Sequence, residues 1–325
     1  MSTADPTPPE VRGIPEMPAQ VVQHLAKPND PIVGKVIETR ICSPSNKAAA
    51  FVRHISIDVS GTVLENGWIA GQSFGVIAPG VTDKGKGHKL RLCSISAPTK
   101  GEDGNGSIIS TTTKRVLDEH WDTHELFTGV CSNYLCDLKV GDEVLLTGPA
   151  GKRFVLPADP YKHDFLFIAT GTGIAPFRSM LIDLIALGMP CKATLIMGAP
   201  YATDLLYHED MLAWEKQHAG FTYRTAISRH LVEDQRRRMY VQDRLEEDAD
   251  DLMPMLNADR TLVYICGIAG MELGIFKTLA RTLSTDQLAQ YLTLDPAIAS
   301  DLDSWERRMI PRAIKPTKRI FLEVY

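Results

Sequence analysis

The stretch Phe165-Leu-Phe-Ile-Ala-Thr-Gly-Thr-Gly-Ile-Ala-Pro-Phe-Arg-Ser179 decides the fold of this chain. Its apolar first part predicts a buried strand. Gly171 and Gly173 suit a turn with positive φ, which lets a ligand approach the backbone. Pro176 fits the first helical position, where its missing N–H would have no partner. Free N–H groups at a helix start attract anions, so the stretch suits a pyrophosphate. A plain tight turn explains the pattern equally well, and only the surrounding elements favour the phosphate site.

Alternating strand and helix patterns surround this stretch. They predict strands at 165–169, 193–198, 222–227 and 262–266, and helices near 176–187, 206–217, 240–257 and 271–283. Such alternation is typical of a parallel, doubly wound sheet, whose ligands bind outside the carboxyl ends of the strands. Gly171, Ser228 and Cys266 all fall at such ends, so we expect them to line one crevice. Residues 319–325 predict a closing strand.

The first half of the chain has a different pattern. Short apolar runs such as 32–37, 52–59 and 143–147 are separated by Gly, Pro, Asn and Asp, which is typical of an antiparallel barrel or sandwich. One helix is expected near 132–139, with Ser132 as its cap. We therefore predict a flexible proline-rich segment over 1–30, a β-barrel domain over 31–157 and an α/β domain over 163–325, joined by a linker.

Composition excludes several function classes. The net charge of -5 argues against general nucleic-acid binding. No apolar run approaches the roughly 18 residues of a membrane span, and no secretory signal is apparent, so we expect a cytoplasmic protein. Six cysteines in 325 residues do not indicate a disulfide framework. Cys131 and Cys136 have the spacing that opens an iron–sulfur motif, but no Cys-x-x-Cys completes it, so no metal centre is predicted.

Two segments of the first half are candidate ligand sites. Arg91-Leu-Cys-Ser94 follows a basic tip at 84–89, and its arginine could hold a phosphate. Gly129-Val-Cys-Ser132 precedes the short helix and offers a second anion site. An ordinary strand and an ordinary capped helix explain these segments equally simply. Two anion sites, one in each half, would suit two dinucleotides that meet at the domain junction.

Taken together, the motifs resemble the plant-type ferredoxin–NADP⁺ reductases, and specifically their plastid-like branch. The resemblance covers residues 30 to 325. The matching stretches are Gly71-Gln-Ser-Phe-Gly-Val76, His88-Lys-Leu-Arg-Leu-Cys-Ser-Ile95, 129–149, 169–179, Leu205-Leu-Tyr-His-Glu209, Ala226-Ile-Ser-Arg229, Arg238-Met-Tyr-Val-Gln242, Tyr264-Ile-Cys-Gly267, Gly270-Met-Glu272 and Glu323-Val-Tyr325.

This resemblance implies FAD on an antiparallel β-barrel domain and NADP(H) on a Rossmann-like domain with a parallel sheet. On the FAD side the implied contacts are Arg91, Leu92, Cys93, Ser94, Thr112, Thr113, Val130, Cys131 and Ser132. On the NADP side they are Thr172, Gly173, Ala199, Pro200, Ser228, Arg229, Arg238, Tyr240, Gln242, Gly267 and Ile268. Two arginines and two hydroxyls suit the adenosine 2′-phosphate, because Arg offers a fixed fork to phosphate oxygens.

The reaction centre implied by the resemblance consists of Ser94, Cys266, Glu323 and Tyr325. Glu323 and Ser94 would relay a proton, and Tyr325 would lie on one face of the flavin. Cys93 departs from the family, because a tyrosine normally covers the other face. The threonines of 111–113 also replace the family's Leu-Cys-Val.

Residues 305–319 form a longer, basic insertion, which predicts an acidic electron carrier such as ferredoxin or flavodoxin as partner. A solvated basic segment is an equally simple interpretation.

The sequence thus favours an FAD-dependent reductase that exchanges electrons between NADP(H) and a one-electron carrier. A reductase component that feeds an oxygenase is a variant of this hypothesis. A non-catalytic nucleotide-binding subunit of a larger assembly is the alternative from another class, and Cys93 is its main support.

Overall fold

The computed structural model describes residues 11–44, 51–82, 84–233 and 235–325. The first half is built on antiparallel strands and one helix: β1 Ile32–Ile41, β2 Val52–Asp58, β3 Ser73–Val76, β4 Arg91–Ser94, β5 Ile108–Lys114, β6 Leu117–Glu119, β7 Leu126–Thr128, α1 Val130–Asp137 and β8 Glu143–Ala150. Six of these strands form one sheet in the order β4-β3-β8-β1-β2-β5, and β6 and β7 form a separate hairpin.

The six-stranded sheet closes into a barrel. An isolated antiparallel bridge between Ile95 and Thr111 joins the two edge strands just beyond the end of β4. The interior is filled by apolar side chains from alternating strand positions, among them Ile55, Ile57, Phe74 and Leu146. The predicted antiparallel barrel is therefore confirmed.

The second half alternates strands and helices: β9 Asp164–Thr170, α2 Ile174–Ala186, β10 Ala193–Ala199, α3 His208–Gln217, β11 Phe221–Ile227, α4 Val241–Glu247, α5 Ala249–Asn257, β12 Thr261–Gly267, α6 Met271–Thr282, α7 Thr285–Leu288, β13 Leu292–Leu294, β14 Ile314–Pro316 and β15 Ile320–Val324. Five strands pair in parallel in the order β11-β10-β9-β12-β15. Both faces of this sheet are covered, as the continuous apolar runs predict. Within β9, Phe165 and Phe167 belong to the core on one face, while Leu166 and Ile168 belong to the core on the other.

Three local expectations differ from the structure. The helix predicted over 240–257 is two helices, because the chain leaves helical geometry at Asp248. Helix α2 begins at Ile174, so Pro176 is its third residue rather than its first. The segment predicted to be flexible is 1–30, of which 1–10 lie outside the described residues. Residues 11–30 lie against the folded chain: Ala158 N–H donates to Glu16 O, and Ala26 exchanges backbone hydrogen bonds with Gly148. The flexible segment was predicted from its many prolines, and proline content does not show whether the backbone pairs with a distant part of the chain. The predicted domain boundaries stay a prediction.

A buried polar cluster joins the two halves. The Arg178 guanidinium of α2 donates to Glu102 Oε1 at 2.6 Å and to Ser96 O at 2.8 Å, both in the barrel half. The Tyr207 ring lies beneath the guanidinium, 5.2 Å from it, and its hydroxyl hydrogen-bonds His54 Nδ1 at 2.9 Å. Burial lowers the pKa of His54 to about 2, so its imidazole is neutral and Glu102 is left to balance Arg178.

None of the described helices has the length and apolar character needed to cross a bilayer.

We expect Arg178→Ala to lower the free energy of unfolding by about 3 kcal/mol, because it leaves the Glu102 carboxylate partly buried without its partner. Urea unfolding followed by circular dichroism measures this change. Arg236→Ala is the matched control: that side chain is 91% exposed, and we expect a change within about 0.5 kcal/mol. Equal losses in both variants would contradict the role of the cluster.

Candidate active site

The glycine turn after β9 packs directly against the end of β12. Gly171 has the predicted positive φ, +53°, whereas Gly173 has φ -61° and does not. Gly173 is needed for another reason, because a Cβ on it would lie only 2.1 Å from the carbonyl oxygen of Cys266. The close approach of the glycine turn to the end of β12 therefore requires a glycine at position 173, independently of any ligand. The turn places Thr172 at the carboxyl-end edge of the sheet, as the sequence predicts.

Tyr325 is held at this edge by both its backbone and its side chain. Its N–H donates to Gly267 O at 3.0 Å, and its carbonyl accepts from Ala269 N–H at 2.9 Å. The phenol hydroxyl hydrogen-bonds Thr172 Oγ1 at 2.5 Å. The residue as a whole is nevertheless 62% exposed, although burial around its hydroxyl raises the pKa of the phenol.

Glu323 and Cys266 are direct neighbours in the parallel register of β15 and β12. Burial raises the pKa of Glu323 to about 7, because no described residue donates a hydrogen bond to its carboxylate. Burial, together with the charge of Glu323, also holds the pKa of the Cys266 thiol well above its ordinary value. The pair is thus a protonated thiol beside a carboxyl group that titrates near neutrality.

The barrel reaches Glu323 through Gly151, which the sequence analysis did not identify. A Cβ on Gly151 would lie 3.9 Å from Glu323 Oε1 and 3.9 Å from Gln72 Cα. Ser94 ends β4 opposite Ser73, the residue after Gln72. No direct hydrogen bond joins Ser94 to Glu323 among the described residues, so the predicted relay has no direct contact here. A glycine directly after a strand was the available signal in the sequence, and in the structure this glycine has φ +96°.

The start of α1 is open to an anion. Gly129 is the N-cap and no side chain caps the helix. Ser132 is therefore not the cap that the sequence predicts; its hydroxyl donates to Gly129 O at 3.1 Å. In the part of the chain that the structure describes, the N–H groups of Val130, Cys131 and Ser132 have no partner. Arg91 lies close enough to Cys131 for its positive charge to contribute to a lowered pKa of the Cys131 thiol.

Of the two predicted threonines of β5, Thr112 lies away from the start of α1, whereas the carbonyl of Thr113 accepts a hydrogen bond from Cys136 Sγ of that helix at 3.6 Å. Thr112 and Thr113 are buried, and Thr112 Oγ1 hydrogen-bonds the Tyr207 hydroxyl at 2.5 Å. That hydroxyl is used in the contact between the two halves, so it does not line the open face of the barrel. By contrast, Leu92 is exposed and Cys93 is half-buried in edge strand β4, beside the start of α1.

A third group of predicted residues meets at the ends of β10 and β11. Ser228 and Arg229 donate backbone hydrogen bonds to Ala199 O and Pro200 O. The Gln235 side chain binds both the N–H and the carbonyl of Ile227, which folds the following loop back toward the strand. The return brings exposed Arg238 and Tyr240 to the start of α4.

The arginines of this loop differ in their partners. Arg236 pairs with Glu247 at 3.6 Å and Arg237 with Asp243 at 3.5 Å. Over residues 11–44, 51–82, 84–233 and 235–325, Arg229 and Arg238 form no ion pair. The guanidinium groups of these two exposed arginines are therefore available to donate hydrogen bonds to a phosphate. Gln242 lies beside Gly274, and exposed Ile268 follows Gly267 at the same sheet edge.

The described residues contain no group of three or more His, Cys, Asp or Glu side chains arranged to hold a metal ion.

Comparisons with known proteins show which family this chain resembles. Residues 167–276 match the family described as "Oxidoreductase NAD-binding domain". The chain is 36% identical to a ferredoxin–NADP reductase of Spirulina sp., over 78% of this chain and 86% of the relative. It is 38% identical to the chloroplastic leaf isozyme 1 of Oryza sativa subsp. indica, over 78% of this chain and 70% of the relative.

Solved structures share the fold. The ferredoxin–NADP⁺ reductase of Plasmodium falciparum superposes with a TM-score of 0.68 at 22% identity, and covers 94% of this chain and 100% of its own. The structure of that protein with 2′P-AMP gives a TM-score of 0.66 at 21% identity, with 94% and 100% covered.

The raised pKa of Glu323 predicts a pH-dependent stability difference. The folded state retains a proton that the unfolded state loses between pH 4.5 and about pH 7, so stability falls as the pH rises through this window. We expect Glu323→Gln to be more stable than the parent by about 2 kcal/mol at pH 8, with no difference at pH 4. Thermal unfolding across this range, with exposed Glu125→Gln as control, checks it. A difference that does not change with pH would contradict the assignment.

Proposed function

This chain belongs to the ferredoxin–NADP reductase family, and we propose from that premise which of its residues carry the reaction. It is an oxidoreductase that transfers electrons between NADP(H) and ferredoxin, with FAD as the family's flavin cofactor. The relatives argue against the alternative of a non-catalytic subunit, because they are ferredoxin–NADP reductases and match 78% of this chain.

The barrel has the groups that FAD requires. The uncapped start of α1 offers the N–H groups of Val130, Cys131 and Ser132 to a pyrophosphate, and Arg91 adds a positive charge. Strand β4 lies at the edge of the sheet, with Leu92 exposed and Cys93 and Ser94 half-buried, and it offers this surface to a flat polar ring. When bound, FAD supplies the hydride and one-electron chemistry, while the protein supplies position, electrostatics and proton handling.

The carboxyl-end edge of the parallel sheet has the groups that NADP(H) requires. We place the nicotinamide end near Thr172, Cys266 and Tyr325, and the adenosine 2′-phosphate near Arg229 and Arg238. The Plasmodium falciparum reductase that shares the fold has been solved with 2′P-AMP, a fragment with that phosphate. Within the described part of the chain, Arg229 and Arg238 are the loop arginines without ion pairs, and this observation supports the choice of NADP(H) over NAD(H).

One observation carries the assignment of the reaction centre: both halves of the chain meet at Glu323. Its carboxylate lies against Gly151 of the barrel and opposite Cys266 of the parallel sheet. A carboxyl group with a pKa of about 7 holds or releases a proton at working pH, which suits a general acid or base. The neutral thiol of Cys266 adds no charge to the place where the nicotinamide has to lie.

The partner proposed for the one-electron step is an acidic ferredoxin or flavodoxin. Lys84, Lys86 and Lys89 form an exposed basic tip between β3 and β4, next to the proposed flavin strand. The basic insertion at 305–319 provides less free positive charge at the surface than its sequence predicts. Arg319 is buried and donates to Thr261 O and Ala258 O, and Arg307 pairs with Glu272 at 2.8 Å. Charge at the tip steers an acidic partner and gives a salt-dependent association rate. A cytoplasmic location stays a prediction, since some relatives are chloroplastic.

The overall proposal is tested on the purified protein. We expect flavin absorption bands that bleach when NADPH is added under nitrogen, and reduction of added ferredoxin. A colourless protein that does not bind added FAD would contradict it.

We expect Arg229→Ala to lower kcat/KM for NADPH by about 10- to 150-fold, which corresponds to the loss of one charged contact of about 1.5–3 kcal/mol. The value for NADH should stay unchanged, because NADH has no 2′-phosphate. Arg236→Ala, whose guanidinium already pairs with Glu247, is the matched control and should retain the preference of the parent. Equal losses with both coenzymes would refute the assignment.

We expect Tyr325→Ser to bind NADP⁺ more tightly and to discriminate less between NADPH and NADH. The Tyr325 ring lies where the nicotinamide must come within about 3–3.5 Å of its acceptor, so part of the coenzyme's binding energy is used to displace it. Thr172→Val removes the hydroxyl that holds the phenol and should act in the same direction, but less strongly. Titration of flavin absorbance with NADP⁺ measures both effects. An unchanged titration and coenzyme ratio in Tyr325→Ser would remove this residue from the active site.

A further inference from the structure

The loop that follows β12 holds the last residue of the chain at both of its backbone groups. Tyr325 N–H donates to Gly267 O at 3.0 Å, and Tyr325 O accepts from Ala269 N–H at 2.9 Å. Ile268, which lies between these two partners, donates its own N–H to Thr170 Oγ1 at 3.0 Å. We call residues 267–270 the Tyr325 loop. The position of this loop determines how firmly the backbone of Tyr325 is held.

A buried carboxylate anchors the far end of the Tyr325 loop. Glu272 is the second residue of α6 and is only 2% exposed. Its Oε2 accepts a hydrogen bond from Gly270 N–H at 2.7 Å. This N–H belongs to the residue directly after Ala269, whose own N–H holds Tyr325. Any movement of Glu272 therefore acts on the loop one residue away from the contact with Tyr325.

The charge of Glu272 is balanced from the basic insertion at 305–319. Arg307 Nε donates to Glu272 Oε1 at 2.8 Å, and no other cationic side chain of the described ranges forms an ion pair with this carboxylate. The position of Arg307 is fixed by the neighbouring Trp305, which is buried in the same apolar core as Met271 of α6. The indole N–H of Trp305 donates to Ile298 O at 2.9 Å. The insertion thus holds one arginine inward, against the start of α6.

We propose that Arg307 is a positioning residue for the reaction centre, which acts through Glu272 and the Tyr325 loop and sets how easily the Tyr325 ring gives way to the nicotinamide. This inference rests on the proposed function, in which NADP(H) has to displace that ring. NADP⁺ binds the molecules in which the ring has moved, so its apparent affinity rises with their fraction. A firmly anchored loop keeps this fraction small.

The ion pair sets the strength of this anchor. Without Arg307, Glu272 is a buried carboxylate that has lost the partner of its charge, which is strongly unfavourable. The carboxylate reaches water by turning away from the helix start, and it then releases Gly270 N–H. The Tyr325 loop loses its anchor, and the ring of Tyr325 is displaced at a lower cost. If Glu272 served only to cap α6, the same loss would leave the choice of coenzyme unchanged.

The first experiment follows hydrogen exchange in the purified protein by mass spectrometry. In Arg307→Ala we expect the peptides that cover 267–272 and 320–325 to exchange about tenfold faster or more, and the peptides of the barrel to be unchanged. Arg308→Ala is the matched control, because it removes the same charge from the next residue, whose guanidinium is 80% exposed and pairs with Glu306. Unchanged exchange in Arg307→Ala, or equal acceleration in both variants, would overturn the proposal. This measurement requires no bound cofactor.

The second experiment titrates the flavin absorbance with NADP⁺ and compares kcat/KM for NADPH and NADH. We expect Arg307→Ala to bind NADP⁺ about threefold more tightly and to lose discrimination between the coenzymes by a similar factor. Glu272→Gln in the Arg307→Ala background removes the unpaired charge and retains an acceptor for Gly270 N–H. The double variant should therefore return to the parent values, and Arg308→Ala should retain them.

Weaker or unchanged NADP⁺ binding in Arg307→Ala, with the coenzyme ratio of the parent, would show that Arg307 only stabilises the fold and would overturn the proposal. A double variant that does not recover would exclude the charge of Glu272 as the cause. A parent protein without flavin bands and without an NADP⁺ titration would instead contradict the proposed function, and the exchange experiment would still report whether Arg307 anchors the Tyr325 loop.

Discussion

The ion pair between Arg178 and Glu102 is the interaction on which the relative position of the two halves depends. The guanidinium comes from α2, the helix that begins at the glycine turn, and its acceptors come from the barrel. A buried cation that loses its partner is strongly unfavourable, so a shift that moves Glu102 away while Arg178 stays buried has a large cost. The position of α2 fixes the glycine turn, and the turn packs on the end of β12. The crevice at Glu323 is therefore held in place by a contact that touches no ligand.

The electrostatic character of the site changes along the edge of the parallel sheet. At one end, exposed Arg229 and Arg238 provide fixed positive charge in water. At the other end, Cys266 is buried and protonated, and Glu323 has lost much of its acidity. The first environment suits a phosphate, and the second suits a ring whose charge changes during reaction. The end with Arg229 and Arg238 is thus suited to binding, and the end with Cys266 and Glu323 is suited to chemistry.

Sequence patterns predicted the elements of this fold well where local signals are strong. The runs at β9, β10 and β12 are continuously apolar because both faces of the sheet are buried, and their ends followed from glycine and polar residues. Patterns were less informative where a distant residue decides the outcome. Thr112 hydrogen-bonds Tyr207, Arg319 donates to the carbonyls of residues 258 and 261, and Gly151 faces Glu323. Each partner lies far along the chain, so local composition contains no trace of the contact.

The order of strands in the barrel has a consequence for how the chain folds during synthesis. Strand β1 pairs with β8, so that Ile32 lies opposite Leu146. Strand β1 can form its hydrogen bonds with β8 only after nearly the whole first half has left the ribosome. Pairings with such large sequence separation form slowly, because the intervening loop must be ordered first. Until then β1 has an open edge with apolar side chains, which is the feature that chaperones bind and that promotes aggregation. The yield of folded protein should therefore depend on the speed of translation through the first half.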